Sequence, residues 1–190
     1  MCHALLRDPS FQALLRQIDD EHAAEVRAGG CGCGARLHSA PYPRKPRGVP
    51  REAIGTPVTR ASFCCARCRR RCTPASVRFL GRRVYLGAVV VLASALAHGF
   101  NGRRLETLID VLAVPARTLL RWRQWWLTQF VITPFWISVR GRFMPPLAVD
   151  GLPGTLLARF DRGADRGDDG PRLTRMLRFV APLSTKTEGR

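Results

Sequence analysis

The apolar positions near the amino terminus repeat with the period of a helix. They are Phe11, Leu14, Leu15, Ile18 and Val26. This spacing predicts an amphipathic helix over residues 9–28. Asp8 precedes the helix as a cap, Pro9 suits its first turn, and two glycines at 29 and 30 end it. The first predicted segment, residues 1–28, is therefore a helix that packs against another part of the chain.

The longest apolar run, VYLGAVVVLASALAH at residues 84–98, opens a predicted helical module at residues 84–149. A membrane-spanning helix needs about 20 apolar residues, and this run is shorter and lies between basic patches. It therefore predicts a buried helix of a globular module and no membrane segment. A second helix is predicted over residues 103–113. Its periodic apolar positions are Leu105, Leu108, Ile109 and Leu112.

A third helix is predicted over residues 116–130, after a short turn in which Pro115 suits a helix start. At 100° per residue its side chains separate into two faces. The first face holds Leu119, Trp122 and Trp126, and we interpret it as core. The second face holds Arg117, Arg121 and Gln124. That basic face is expected to be free, and prolines at 134, 145 and 146 are expected to close the module.

The C-terminal tail, residues 150–190, has two short apolar segments, at residues 156–160 and 173–180, which predict helices that pack back on the protein. The sequence between them, DRGADRGDDG, predicts a loop. Its acidic residues are Asp161, Asp165, Asp168 and Asp169. They lack flanking strands, so they are interpreted as solvated charge. With no acidic triad, nucleophile elbow or phosphate loop elsewhere, the sequence predicts no enzyme.

Positive charge is concentrated in one part of the chain. The net charge is +17, and residues 36–83 carry thirteen Arg and Lys against Glu52 alone, a net of +12. Such a concentration favours a polyanionic partner, because neutralising phosphates releases their counterions. The chain starts without a basic region followed by an apolar stretch, so no secretory signal is predicted and a cytoplasmic location is expected.

Six of the seven cysteines fall in two tight clusters, CGC at residues 31–33, just before this basic region, and CCARCRRRC at residues 64–72, within it. In a reducing compartment clustered cysteines favour metal binding over disulfides. The predicted module, residues 29–83, resembles a zinc ribbon, in which two β-hairpin turns each offer two thiolates to one Zn²⁺. The predicted ligands are Cys31, Cys33, Cys65 and Cys68. Three alternative ligands are possible: Cys64 in place of Cys65, His38 in place of a first-turn thiolate, or Cys72. A region that binds no metal is a further alternative.

Arginines surround the second cysteine turn and predict a phosphate-contact surface, since the guanidinium fork engages phosphate oxygens. The predicted contacts are Arg69, Arg70 and Arg71. A solvated face without a ligand is the alternative. The proline-rich connector at residues 39–58 predicts an exposed extended loop, and SVRF at residues 76–79 predicts a strand.

The predicted fold class is α+β, mainly α, with a small zinc-ribbon-like β-hairpin module followed by a three-helix module. The latter resembles a helix-turn-helix over about 20 residues, in which the second helix enters the major groove. The matching apolar positions are Leu108, Leu112, Val114, Leu119 and Trp122. Ala113 departs from the turn glycine usual in that motif, and Ile109 from its small residue.

A four-cysteine ribbon, then CRRRCTPASVRFLGRRVYLG, then a helix ending TLLRWRQWW resembles the zinc-ribbon and helix-turn-helix proteins of bacterial insertion elements. The resemblance spans residues 29–130. It implies Zn²⁺ as cofactor, duplex DNA as partner, and a role in transposition, either in DNA-end recognition or as an accessory to a transposase. The alternative hypothesis is a zinc-ribbon RNA- or ribosome-associated factor whose helices are structural.

Overall fold

A computed structural model describes residues 7–44, 58–80, 114–160 and 169–185, together with the isolated positions 5, 106 and 109. The predicted helices at 84–98 and 103–113 lie outside these residues, apart from Glu106 and Ile109. The predicted loop at 161–170 also lies outside them, apart from Asp169 and Gly170, where the prediction is wrong because these two residues begin a helix. No helix of the described part is long and apolar enough to cross a membrane.

The described chain is mainly helical with small antiparallel sheets, which confirms the mixed α+β class. The helices are α1 (Pro9–Gly29), α2 (Ala116–Thr128), α3 (Pro134–Val139), α4 (Gly154–Ala158) and α5 (Asp169–Val180). The strands are β1 (Leu37–Ser39), β2 (Tyr42–Arg44), β3 (Val58–Arg60), β4 (Phe63–Cys65) and β5 (Arg71–Cys72). Short 3-10 helices span Phe130–Ile132, Arg140–Arg142, Val149–Gly151 and Ala181–Ser184.

Helix α1 confirms the first predicted element within one residue. Asp8 caps it by accepting a hydrogen bond from the Ser10 backbone at 2.9 Å, and Pro9 occupies its first turn. Its buried positions are Phe11, Leu15, Ile18 and Asp19. The predicted apolar face is thus correct except at Leu14, which is 40% exposed.

One hydrophobic core joins the N-terminal helix, α2 and the tail. It includes Leu15 and Ile18 from α1, Trp122 and Trp126 from α2, and Leu177 from α5. The predicted tail helices are therefore confirmed as α4 and α5, which pack back on the protein through buried leucines. The division of the chain into four segments stays a prediction, and this core draws on all four of them, since Val77 and Leu80 of the second segment also belong to it.

Helix α2 has the two faces that its sequence predicts. Leu119, Trp122 and Trp126 are buried. Arg117, Arg121 and Gln124 are exposed. The expected stop at Pro134 is wrong, because this proline takes the first position of α3, where its missing N–H breaks no helical bond.

A second, smaller hydrophobic core belongs to the cysteine region. Its buried residues are Cys31, Leu37, Phe63 and Cys65. Ala23 and Val26, from the last turns of α1, pack against it. Helix α1 therefore supports both cores, the main one with its first half and the cysteine core with its end.

The strands form two small antiparallel sheets, β1-β4-β5 and β2-β3, and we call the two together, residues 37–44 and 58–72, the ribbon. The antiparallel register of β1 against β4 continues unchanged into that of β2 against β3. β5 adds to the other edge of β4. The ribbon thereby brings the second cysteine turn, between β4 and β5, to one of its ends.

The ends of the proline-rich connector form strands β2 and β3, so the prediction of a loop over residues 39–58 is wrong there. A 2.8 Å bond from Ala40 N to Ser62 O shows that even-numbered residues of this edge strand make the ladder bonds. Pro41 and Pro43 occupy the odd positions, where an N–H would face away from the partner strand. The two prolines therefore cost the ladder nothing.

The strand expected at residues 76–79 is also wrong, since only Phe79 makes an isolated bridge. Three backbone N–H groups of this segment donate to side chains, the first being Ser76 N, which donates to Ser184 Oγ at 2.7 Å. Val77 N donates to Asp19 Oδ1 at 2.8 Å, and Arg78 N donates to Ser76 Oγ at 3.1 Å. These local bonds compete with a strand ladder.

Candidate metal centre

The first cysteine turn, residues 31–34, lies directly between α1 and β1. Gly30 ends the helix with a φ of 68°, a conformation that glycine adopts without strain. The turn is closed by Gly34 N donating to Cys31 O at 2.7 Å. The expectation that a β-hairpin carries this turn is therefore wrong, because α1 occupies the place of its first strand.

The second turn, residues 65–68, lies in the predicted β-hairpin. Cys65 N donates to Arg70 O at 3.0 Å, which closes the hairpin between β4 and β5. Cys68 N donates to the Cys65 sulfur at 3.4 Å, so the turn backbone points at its first thiol. Arg69 adopts a φ of 57°, the left-handed conformation that lets the chain return towards β5.

The two turns bring four sulfur atoms together, and all four lie within 4.8 Å of one another. The Cys31 and Cys68 sulfurs are 3.6 Å apart, and those of Cys33 and Cys65 are 3.5 Å apart. A tetrahedral ion with thiolate bonds of about 2.3 Å holds its sulfurs about 3.8 Å from each other. The four cysteines therefore lie close enough to coordinate one metal ion.

The site is half inside and half outside the protein. Cys31 and Cys65 are buried in the smaller core, whereas Cys33 and Cys68 are exposed. Arg67 ties the turns together, since its Nη1 donates to Cys33 O at 3.5 Å. The buried pair anchors the site to α1 and the ribbon, and the exposed pair leaves an entry path for a metal.

The alternative ligands are placed elsewhere. In the ladder His38 is opposite Cys64 and Leu37 is opposite Cys65, so Cys64 and His38 share the strand face that Cys65 does not use. Cys72 packs against the smaller core. Within the described residues the one group of metal-ligating side chains is the predicted set of four.

The two buried thiols, Cys31 and Cys65, differ in pKa. Hydrogen bonds from the backbone N–H groups of Cys68 and Arg67 lower the pKa of Cys65 to about 6. The backbone N–H of Cys33 acts in the same direction on Cys31, but bonds with the thiols of Cys68 and Cys65 and burial outweigh it and raise the pKa of Cys31 to about 12. Cys65 therefore loses its proton more readily than Cys31, and a metal bound by both would displace the Cys31 proton.

The predicted nucleic-acid contacts lie on two separate elements. Arg69, Arg70 and Arg71 are exposed beside the second turn of the ribbon. Arg117, Arg121 and Gln124 are exposed along α2. Both groups are thus available to a ligand.

Asp19 is the functional-looking residue that the sequence analysis misses. This buried carboxylate accepts from Ser76 Oγ at 2.6 Å, from Val77 N at 2.8 Å and from Arg78 Nε at 2.7 Å. It joins the middle of α1 to the chain that leaves the ribbon. The sequence does carry a sign of it, since Asp19 follows Leu15 by four residues and so lies on the apolar face of α1.

Arg60 extends this buried polar region. Its Nη2 donates to Pro74 O at 2.8 Å and to the Ser184 hydroxyl at 3.3 Å, and the same hydroxyl accepts from Ser76 N at 2.7 Å. Burial lowers the pKa of Arg60, and the Asp19 carboxylate opposes that effect. The ribbon is thereby attached to the C-terminal 3-10 helix as well as to α1.

Comparison with known proteins gives no relative. No family model matches the chain, and no curated protein or solved structure is similar to it. Function is therefore inferred from the residues and their geometry.

Proposed function

We propose that the chain is a cytoplasmic zinc-dependent DNA-binding protein with a transposition-related or accessory role. The observation that carries the proposal is the four-sulfur cluster beside exposed arginines on one small ribbon. Four thiolates are the donor set of structural zinc sites. The insertion-element resemblance of residues 29–130 supports the choice of DNA over other polyanions.

Zinc has a structural role in this proposal. Four cysteines fill a tetrahedral shell and leave no position for a substrate or a reactive water, which is the arrangement of closed sites. The ion would join the turn that follows α1 to the turn between β4 and β5. The ion would thereby hold the arginines beside the second turn on a rigid support. Its role would be structural and not catalytic.

The two exposed basic groups have different roles. Arginines on the ribbon face solvent next to the metal turn, a placement suited to phosphate oxygens. Helix α2 keeps its basic face free while its tryptophans hold the other face in the core, as a helix must if it enters a major groove. We therefore assign backbone contact to the ribbon and base contact to α2.

The assignment of α2 predicts a selective loss of binding. The free energy of unfolding of the triple variant Arg117→Ala, Arg121→Ala, Gln124→Ala should be within about 0.5 kcal/mol of that of the parent, because all three side chains are exposed. Each lost base contact should weaken binding to a duplex selected from a random library by about 1–3 kcal/mol. Fluorescence anisotropy measures binding to the selected duplex and to random duplex. Equal binding of variant and parent to the selected duplex would remove α2 from the interface.

The assignment of the ribbon predicts a non-selective loss. Arg69→Gln with Arg70→Gln should weaken binding to all duplexes alike and reduce the slope of log affinity against log salt by about 0.9 for each lost phosphate contact. Arg16→Gln is the matched control, since Arg16 is exposed on α1 and outside the ribbon. An unchanged slope in the ribbon variant would show that these arginines only keep the hairpin solvated.

The rival hypothesis, an RNA- or ribosome-associated factor, is separated by the same titrations. If single-stranded or hairpin RNA binds more tightly than any selected duplex, and the α2 variant changes neither affinity, the helices are structural and the DNA proposal fails.

A further inference from the structure

Tyr42, on strand β2, gathers two arginines from different parts of the ribbon. The guanidinium carbon of Arg44 lies 4.9 Å from the centre of its ring, and that of Arg71 lies 5.6 Å from it. Arg44 Nη2 also donates to the Tyr42 hydroxyl at 3.4 Å. We call these three residues the Tyr42 cluster.

The alternation of the strands explains why the cluster forms. Tyr42 and Arg44 are two residues apart on β2 and so share one strand face. Arg71 is opposite Cys64 in the ladder, and Cys64 shares the face of Tyr42. The Tyr42 ring thus holds Arg44 of β2 beside Arg71 of β5.

Among the described residues, no carboxylate pairs with the arginines of the Tyr42 cluster. Two ion pairs join side chains of the described residues, Arg78 with Asp19 and Arg178 with Glu21, and neither involves the cluster. Arg60, directly opposite Tyr42 in the ladder and buried, adds positive charge. Two guanidinium groups fixed on an aromatic face, without a carboxylate partner in the part of the chain that the structure describes, form a favourable place for an anion.

We infer that the Tyr42 cluster is a binding site for phosphodiester groups of a nucleic-acid backbone, with Arg44 and Arg71 as the contacts and Tyr42 as the positioning residue that holds them. This inference rests on the proposed function and extends the nucleic-acid interface to two further residues, Tyr42 and Arg44. The ring fixes both side chains before the ligand arrives, which reduces the ordering that binding requires.

The test uses the zinc-loaded full chain and a labelled random duplex at several salt concentrations. Arg44→Gln and Arg71→Gln, alone and together, should weaken binding and lower the salt slope by about 0.9 per phosphate released, and Arg16→Gln should give a smaller change. Tyr42→Leu should lower affinity by about two- to fivefold, the range that a surface cation–π contact supports. Tyr42→Phe keeps the ring and should bind like the parent.

The decisive measurement is the effect of Tyr42→Leu in the double-arginine background. A positioning ring acts through its arginines, so the substitution should then have no further effect on affinity. An equal loss in both backgrounds would assign Tyr42 a different role and overturn the inference. Zinc content and the unfolding midpoint of each variant show that the ribbon is intact.

Failure of the inference and failure of the proposed function give different results. If the parent binds duplex, and the cluster variants weaken that binding no more than Arg16→Gln does, the phosphate site alone is overturned. A parent that does not bind duplex overturns both. Cluster-dependent binding to phosphatidylserine vesicles without binding to duplex would assign the arginines to a membrane surface and likewise overturn the inference.

Discussion

Replacing Cys65 by serine is expected to abolish metal binding and to unfold the ribbon. A serine hydroxyl stays protonated at neutral pH and cannot take the place of a thiolate, so zinc content should fall from about one ion per chain to below about 0.1. Elemental analysis of purified protein measures the content. Loss of ribbon amide protection in hydrogen exchange measures the unfolding.

The expected effect is large because, among the described residues, the cysteine end of the ribbon has only a small apolar core. Its core has four buried residues, and two of them, Cys31 and Cys65, are proposed ligands. Structural zinc contributes about 10–16 kcal/mol to the folding of small zinc domains, far more than so small an apolar core supplies. A chelator should therefore have the same effect on the parent as the Cys65→Ser substitution.

Cys64→Ser is the matched control, one residue away in the same strand. The Cys64 sulfur contacts the carbonyl oxygen of Arg69 at 3.6 Å and lies outside the four-sulfur group. This variant should keep its zinc and its ribbon. If Cys64→Ser loses the ion while Cys65→Ser retains it, the ligand set is the substitute that uses Cys64.

Helix faces and the metal cluster were predictable because each depends on local pattern. The 3.6-residue period alone assigns Leu119, Trp122 and Trp126 to the core side of α2. Cysteine spacing predicts the four ligands, with alternatives, although only one residue separates Cys31 from Cys33 where two are usual. The structure accommodates this short gap by placing the first turn directly after α1.

The errors lie where long-range contacts override local pattern. Pro41 and Pro43 predict a loop, but an edge strand accepts prolines at alternate positions once a partner strand is present. The alternating segment at 76–79 predicts a strand, but the Asp19 carboxylate, 58 residues away, accepts the hydrogen bond of the Val77 backbone N–H. Neither pairing can be derived from neighbouring residues, because each depends on which distant segment docks there.

Replacing Asp19 by alanine is expected to destabilise the protein by about 3–5 kcal/mol, the cost of removing one partner of a buried ion pair. Asp19 is 4% exposed and accepts three hydrogen bonds, from a hydroxyl, a backbone N–H and the Arg78 guanidinium. Its loss would leave the Arg78 charge and two donors without their acceptor. Urea unfolding at saturating zinc measures the change and keeps the metal contribution constant.

The neighbouring carboxylate provides the control for this measurement. Asp20 is exposed on α1, so Asp20→Ala should change stability by no more than about 0.5 kcal/mol. Asp19→Asn keeps the shape and one acceptor oxygen but removes the charge, so its effect should lie between those of the two alanine variants. If Asp19→Ala were no more destabilising than Asp20→Ala, the attachment of α1 to the chain leaving the ribbon would depend on the apolar contacts of Ile18 and Val77 and not on the carboxylate.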